Sequence, residues 1–169
     1  AYCQYNELSW LNWDDAAHPS NAPMRRVVSR LLALRRQLPV LTENRFVHGR
    51  SQPAPGLPDI AWFGPDGNEL TSEQWANPED RTLALRRATH CAQEEVEVIV
   101  LCLNASHEDV VFRMPAPGED WNLLFDSTAP DLEDEPVSLD DEGRPAYKVP
   151  ARGLALLVAA VPKDEDPSR

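Results

Sequence analysis

The side chains best suited to chemistry stand at the start of the chain. Residues 1–13, A-Y-C-Q-Y-N-E-L-S-W-L-N-W, bring together Tyr2, Tyr5, Trp10 and Trp13 with Gln4, Asn6, Asn12 and Glu7, and show no helical or strand period. Flat rings offer faces to apolar C–H surfaces, and amides with a carboxylate answer hydroxyl groups. A sugar ring asks for that combination. Rings packing back onto their own protein explain the same composition, and composition alone favours that plainer reading.

Nothing else in the chain has reactive spacing. There is no phosphate-binding glycine loop, zinc-ligand spacing or serine elbow. His18, His48, His90 and His107 stand apart, with no Cys or His near enough in sequence to complete a metal site, and read as surface or turn residues. Residues 131–142 hold seven acids and no base. Such a run offers Ca²⁺ ligands, but the EF-hand order with its central Gly is missing. It reads instead as a solvated loop with a short strand at Val137–Leu139. No metal, cofactor or catalytic group is expected. Cys3, Cys91 and Cys102 are odd in number and form no C-x-x-C, which suits a reducing, cytoplasmic compartment.

Charge narrows the partners. The net charge is −12, unevenly spread: residues 1–60 carry seven Arg against five acids, and residues 61–169 nine bases against 23 acids. The acidic part repels phosphate backbones and anionic lipid, so neither nucleic acid nor a membrane surface is an expected partner. No apolar run is long enough to span a bilayer, and no signal peptide is recognisable. The chain begins at Ala1 and is expected to be a piece of a longer protein.

The elements that must position these groups are legible in outline. Val96–Leu103, V-E-V-I-V-L-C-L, is apolar at seven of eight positions and β-branched at four. It reads as a strand covered on both faces. Leu154–Val161 matches it, and the two predict the centre of an antiparallel β-sandwich, with Val98, Val100, Leu101, Leu103, Leu156 and Val158 buried between its sheets. Asn21 as N-cap and Pro23 in the first turn open a helix that Pro39 stops, with Met24, Val27, Val28, Leu31, Leu34 and Leu38 as its apolar stripe. Three Pro and two Gly within residues 49–58 predict a loop. Ile60–Phe63 is a strand closed by the Pro65–Asn68 turn, Thr71–Trp75 a capped helical turn, and Leu83–Thr89 a strand that Arg86-Arg87 interrupts. Asp109–Met114 is expected to pair with the central strand as a hairpin through Asn104–Glu108. Trp121–Phe125 and Ala146–Val149 complete the set of seven or eight strands, and 163–169 reads as a disordered tail.

One resemblance goes further. Tyr2-Cys3-Gln4-Tyr5-Asn6-Glu7-Leu8-Ser9-Trp10-Leu11-Asn12-Trp13 resembles the Y-C-Q-D-N-E-x-S-W-x-x-W segment of bacterial glycogen debranching enzymes of the isoamylase type, glycoside hydrolases of the α-amylase superfamily. Arg30–Val40, Trp62–Gly67 with Trp75 after it, and Pro150-Ala151-Arg152 follow in the same order as in that family. The chain departs from the motif at Tyr5, where the family has Asp.

The resemblance implies that residues 1–41 are the end of a catalytic (β/α)8 barrel, its loop after the eighth strand and its final helix. Residues 42–58 would be a linker, 59–162 the C-terminal β-sandwich and 163–169 the tail. The parent would hydrolyse α-1,6 branch links of glycogen, an α-glucan. The nucleophile and acid carboxylates of such a reaction lie about 5–5.5 Å apart, and in this family they stand on barrel strands that residues 1–169 do not include. Asn6, Glu7 and Trp10 would line the edge of the substrate site, and the fragment itself would be structural. A stand-alone α-glucan-binding module and a purely structural accessory domain are the alternatives. A module would need an aromatic platform, for which Trp62, Phe63, Phe112, Trp121, Phe125 and Tyr147 are the candidates on strands. Apolar groups that a missing barrel leaves uncovered are expected either to drive self-association or to leave the N-terminal segment mobile.

Overall fold

A computed structural model describes residues 3–91, 96–118, 120–131 and 135–161. Tyr2, part of the acidic run at 132–134 and the expected tail at 163–169 lie outside the described residues. Three α-helices, α1 (Trp13–Ala17), α2 (Ala22–Gln37) and α3 (Ser72–Ala76), accompany eight strands among the described residues. The strands are β1 (Ile60–Phe63), β2 (Thr82–His90), β3 (Val96–Asn104), β4 (Val110–Arg113), β5 (Asn122–Asp126), β6 (Glu135–Pro136), β7 (Ala146–Val149) and β8 (Leu154–Ala160). The domain is mainly β and antiparallel. A six-stranded sheet in the order β1-β2-β3-β8-β5-β6 is faced by a second sheet of two strands, β4-β7.

The two apolar runs do pair at the centre, from Glu97 opposite Ala160 to Leu103 opposite Leu154. Alternation then sorts their side chains. Val98, Val100 and Cys102 join Ala155, Leu157 and Ala159 in the cluster that holds Phe112 and Val149 of the small sheet. Ile99 and Leu156, with Leu101, Leu154 and Val158 beside them, join Leu34 and Leu38 of α2. The first layer is lined by alanines (Ala84, Ala88, Ala155, Ala159), which leaves depth for the rings of Phe63, Phe112 and Trp121. The helix covers the other face. A register shift between Leu123 and Phe125 in the β5–β8 pairing divides β5 as well. Leu123 enters the first layer, whereas Leu124 and Phe125 both enter the second, as a bulge allows.

Several expectations are corrected. Val98 and Val100 lie between the sheets, but Leu101, Leu156 and Val158 face the helix layer, and Leu103 is half-buried on that same outer face. β4 does not pair with β3 but crosses to pair with β7. The crossing is held by Asn104, whose side-chain Nδ2 donates to the carbonyls of Glu108 (2.8 Å), Val149 (3.1 Å) and Pro150 (3.0 Å). Its Oδ1 accepts from the Ser106 amide (3.0 Å) and hydroxyl (2.7 Å), which turns the chain away from β3. The short strand of the acidic run is Glu135–Pro136, and Leu139 forms only an isolated bridge with Pro145. The run is not wholly solvated. Asp140 accepts from Arg113 Nε (2.8 Å) and from the backbone N–H groups of Arg144 and Glu142; the Arg144 N–H first, then that of Glu142 and the Arg113 charge, hold its carboxyl below the usual range.

Arg86-Arg87 does not interrupt β2 either, because the two residues face opposite ways. Arg86 is buried with its guanidinium 4.8 Å from the centre of the Phe63 ring and donates to the Ala116 carbonyl. Arg87 lies 3.6 Å from Glu43 and donates to the Asp59 carbonyl. In the turn after β1, Gly67 has φ 79° and lies where a Cβ would come within 3.1 Å of the Arg113 carbonyl, so both backbone and space require glycine there.

The helix runs nearly as expected, stopped at Pro39 with Leu38 extended. Asn21, however, makes no capping bond; its side chain donates to the Asp15 carbonyl (2.6 Å). The apolar stripe divides in two. Val27, Leu34 and Leu38 turn to the sheet, while Met24, Val28 and Leu31 are exposed, as is Leu32 beside the stripe. Thr71 and Gln74 form the expected reciprocal cap of α3. Among the described residues no helix is long and apolar enough to cross a membrane.

One half-buried carboxyl links the helix end to the sheet. Glu97 accepts from the Val40 amide (3.2 Å), and burial pushes its carboxyl above the ordinary value despite that bond. In the window above the ordinary carboxylate value, about pH 4.3, the folded chain keeps a proton that the unfolded chain has lost. Stability should therefore fall as pH rises through the window. Glu97→Gln keeps the acceptor and removes the titration. It is expected to be more stable than the parent at neutral pH and equal to it in acid, as read by urea denaturation across pH.

Candidate functional site

Residues 4–12 form a tight irregular turn closed by their own polar groups. The Asn6 carbonyl accepts from the amides of Ser9 (3.0 Å) and Trp10 (3.1 Å). Its side-chain Oδ1 accepts from the Leu8 amide (3.1 Å), and its Nδ2 donates to Gln4 Oε1 (3.4 Å). The Ser9 hydroxyl closes the turn by donating to the Gln4 carbonyl. Asn6 is therefore a turn former as much as a display group. Asn12 caps α1 in the same manner, accepting from the Asp14 amide.

Closing the backbone this way pushes the rings outward. Tyr5 and Trp10 meet edge to face, with centroids 5.5 Å apart, and Tyr5 is 90% exposed. Leu8, Trp10, Leu11 and Trp13 are exposed too, as is Glu7. Asn6, Glu7 and Trp10 thus share one turn, and Tyr5 braces the Trp10 ring. The arrangement offers aromatic faces and a carboxylate to solvent, with nothing to move a proton between two groups.

The buried acids are spent on the scaffold. Asp59 Oδ1 accepts from the Gly49 amide (2.8 Å). Asp126 accepts from Thr128, both amide (2.7 Å) and hydroxyl (2.6 Å), and from the Tyr147 hydroxyl (2.8 Å). Burial, then the Asp126 carboxylate, pushes the Tyr147 phenol upward. Burial likewise raises the Cys102 thiol, so that group is an inert filler. The four histidines are exposed, and no group of three or more His, Cys, Asp or Glu among the described residues is placed to hold a metal ion.

Of the ring residues named as a platform, Phe63, Phe112, Trp121 and Phe125 are buried, while Trp62 and Tyr147 are half-buried. The open ring is Trp75, on α3, edge to face with Trp62 at 5.6 Å. Sequence reading missed it because it searched the strands, whereas Trp75 sits on a five-residue helix in a connection. Its one signal was the capping box, which fixes which way such a short helix points.

The fold and its surroundings define an antiparallel two-sheet β-domain with one helix laid on the larger sheet and a ring-bearing turn at its start. The chain belongs to the isoamylase C-terminal domain family, whose model matches residues 59–158. It is 31% identical over 167 residues to a glycogen operon protein GlgX homolog of Mycobacterium tuberculosis, covering 92% of this chain and 22% of that protein. It is 37% identical over 79 residues to a glycogen debranching enzyme of Pectobacterium carotovorum, covering 47% of this chain and 10% of that one. The chain thus spans about a fifth or less of the length of these relatives. Among solved structures, a Paenibacillus polymyxa xyloglucanase of family GH44 aligns with a TM-score of 0.35 and 17% identity over 50% of this chain and 18% of that one, a likeness too slight to argue from.

Proposed function

We propose that this chain is the C-terminal portion of a glycogen debranching enzyme that hydrolyses α-1,6-glucosidic branch links, and that the portion itself is structural and non-catalytic. The observation that carries the reading is the alignment with a glycogen operon protein through 92% of the chain, which extends beyond the residues 59–158 that the family model matches. In this reading residues 1–41 end the catalytic unit, 42–58 link, and 59–162 form the accessory domain. Two features support it. The exposed row Met24, Val28, Leu31 and Leu32, with Trp10, Leu11 and Trp13, is the apolar surface a neighbouring body would cover. In the isolated chain the same surface would draw copies together. The buried acids Asp59 and Asp126 also hold backbone and phenol groups, as a scaffold requires, although Asp59 Oδ2 accepts no hydrogen bond among the described residues.

Asn6, Glu7 and Trp10 would stand at the rim of the glucan site in the longer enzyme. A cytoplasmic location and the absence of a cofactor go with the same reading. The purified chain is expected to release no reducing sugar from a branched glucan above a buffer control. The longer protein from the same gene should release linear chains from glycogen limit dextrin, with Trp10→Ala raising KM several-fold. Reducing sugar released by the chain alone, or a longer protein inert on limit dextrin, would overturn the proposal.

A further inference from the structure

A groove of about 340 Å³ opens beside α3, at the end of the outer face of the large sheet. That volume falls in the range of small-molecule sites, roughly 300–1,000 Å³. Leu83 and Leu103, opposite each other on β2 and β3, form its floor, and the exposed ring of Trp75 forms its wall. Gln74, Asn77, Asp80 and Arg81 stand at the rim. None of residues 3–13 lines it.

The rim groups are held in place by the backbone. Gln74 Oε1 accepts from the Thr71 amide (2.9 Å) and Asn77 Oδ1 from the Glu79 amide (3.1 Å), which fixes both side chains and leaves their NH2 groups as donors. The Arg81 guanidinium donates to the Pro78 and Asp80 carbonyls. The Asp80 carboxylate makes no hydrogen bond or ion pair among the described residues and is the acceptor of the set. One acid and one base at the rim favour a neutral ligand over an ion. An aromatic face with fixed donors and an acceptor around it suits a sugar ring, whose C–H face stacks and whose hydroxyls need both kinds of partner.

We infer that this groove is a second carbohydrate site, one that holds an α-glucan chain on the accessory domain, away from the N-terminal turn. The choice of α-glucan over other polysaccharides rests on the proposed function. The test is electrophoresis of the chain through gels containing glycogen, with a fluorescence titration by maltoheptaose. Trp75→Ala should weaken binding about tenfold or more. Asp80→Ala, whose side chain holds nothing in the fold, should weaken it several-fold without touching α3, and Phe46→Ala, an exposed ring elsewhere, should bind as the parent does.

No retardation of the parent chain would overturn the site while leaving debranching by the longer enzyme untouched. Loss of binding on Trp10→Ala with Trp75→Ala unaffected would move the contact to the N-terminal turn and also overturn it. Equal binding of cellohexaose would refute the α-glucan assignment. A Trp75→Ala variant that changes only the sedimentation of the chain would show the groove to be a contact between copies, and would sink the proposal.

Discussion

Phe112→Ala is expected to cost about 3–5 kcal/mol of unfolding free energy, the usual price of emptying an aromatic site in a core. Phe112 is fully buried on β4, opposite Tyr147, and belongs to the layer between the sheets. Its layer mixes Val98, Val100 and Leu157 with Ala84, Ala88, Ala155 and Ala159, so the vacated space is expected to close only in part. A domain of this kind holds about 5–15 kcal/mol in all, so the change would remove a large share. Val111→Ala, next along the strand but 52% exposed, should stay within about 0.5 kcal/mol. Urea denaturation of the two variants side by side checks the pair. A loss below about 1 kcal/mol for Phe112→Ala would mean that the small sheet is not seated on the large one.

The second large effect is expected at Asn104. Its two side-chain N–H groups are shared among three carbonyls, two of them at the end of β7, and its oxygen receives two donors from Ser106. Asn104→Ala leaves these groups without partners at a buried position. Each such loss costs about 1–3 kcal/mol, and solvent at the open side of the loop recovers part, so about 2–4 kcal/mol is expected. Asn104→Asp separates the roles. It keeps an acceptor for Ser106 but sets a carboxylate oxygen against the carbonyls of Val149 and Pro150, so it should be at least as damaging near neutral pH and partly relieved in acid. Denaturation at pH 4 and pH 7 reads this out. An Asp variant as stable as the parent at pH 7 would show that the amide donors carry no weight.

These two residues mark the boundary of what the sequence makes legible. Val96–Leu103 and Leu154–Val161 are apolar on both faces, so their presence and central place were plain, but a continuous apolar run carries no phase. The run therefore predicts Leu101, Leu103, Leu156 and Val158 between the sheets, whereas they lie on the outer face. The partner of β4 was hidden for a different reason. Asn104–Glu108 has the composition of a hairpin turn, and only the three long-range acceptors of Asn104 reveal a crossover between sheets. Arg86 looked like a break because two adjacent arginines in a strand suggest solvent, whereas alternation puts one of them inside over Phe63. At the N-terminus the motif was legible residue by residue. The use of Asn6 for its own turn was not, because that depends on local backbone closure. Trp75 was passed over because its groove is made by residues from separate segments.

The position of β8 has a consequence for how the chain is made. This strand, last in sequence among the described elements, lies between β3 and β5 in the middle of the large sheet. As synthesis proceeds from the N-terminus, β1, β2 and β3 can associate as local hairpins, and β4 can meet β7. The β3 flank, however, presents an open edge until residues 154–160 have left the ribosome. A long apolar edge held open invites pairing with other chains. Closure then comes in one late, non-local event that joins the two halves of the sheet. A stop codon just before Leu154 would therefore delete the keystone of the sheet, not its margin.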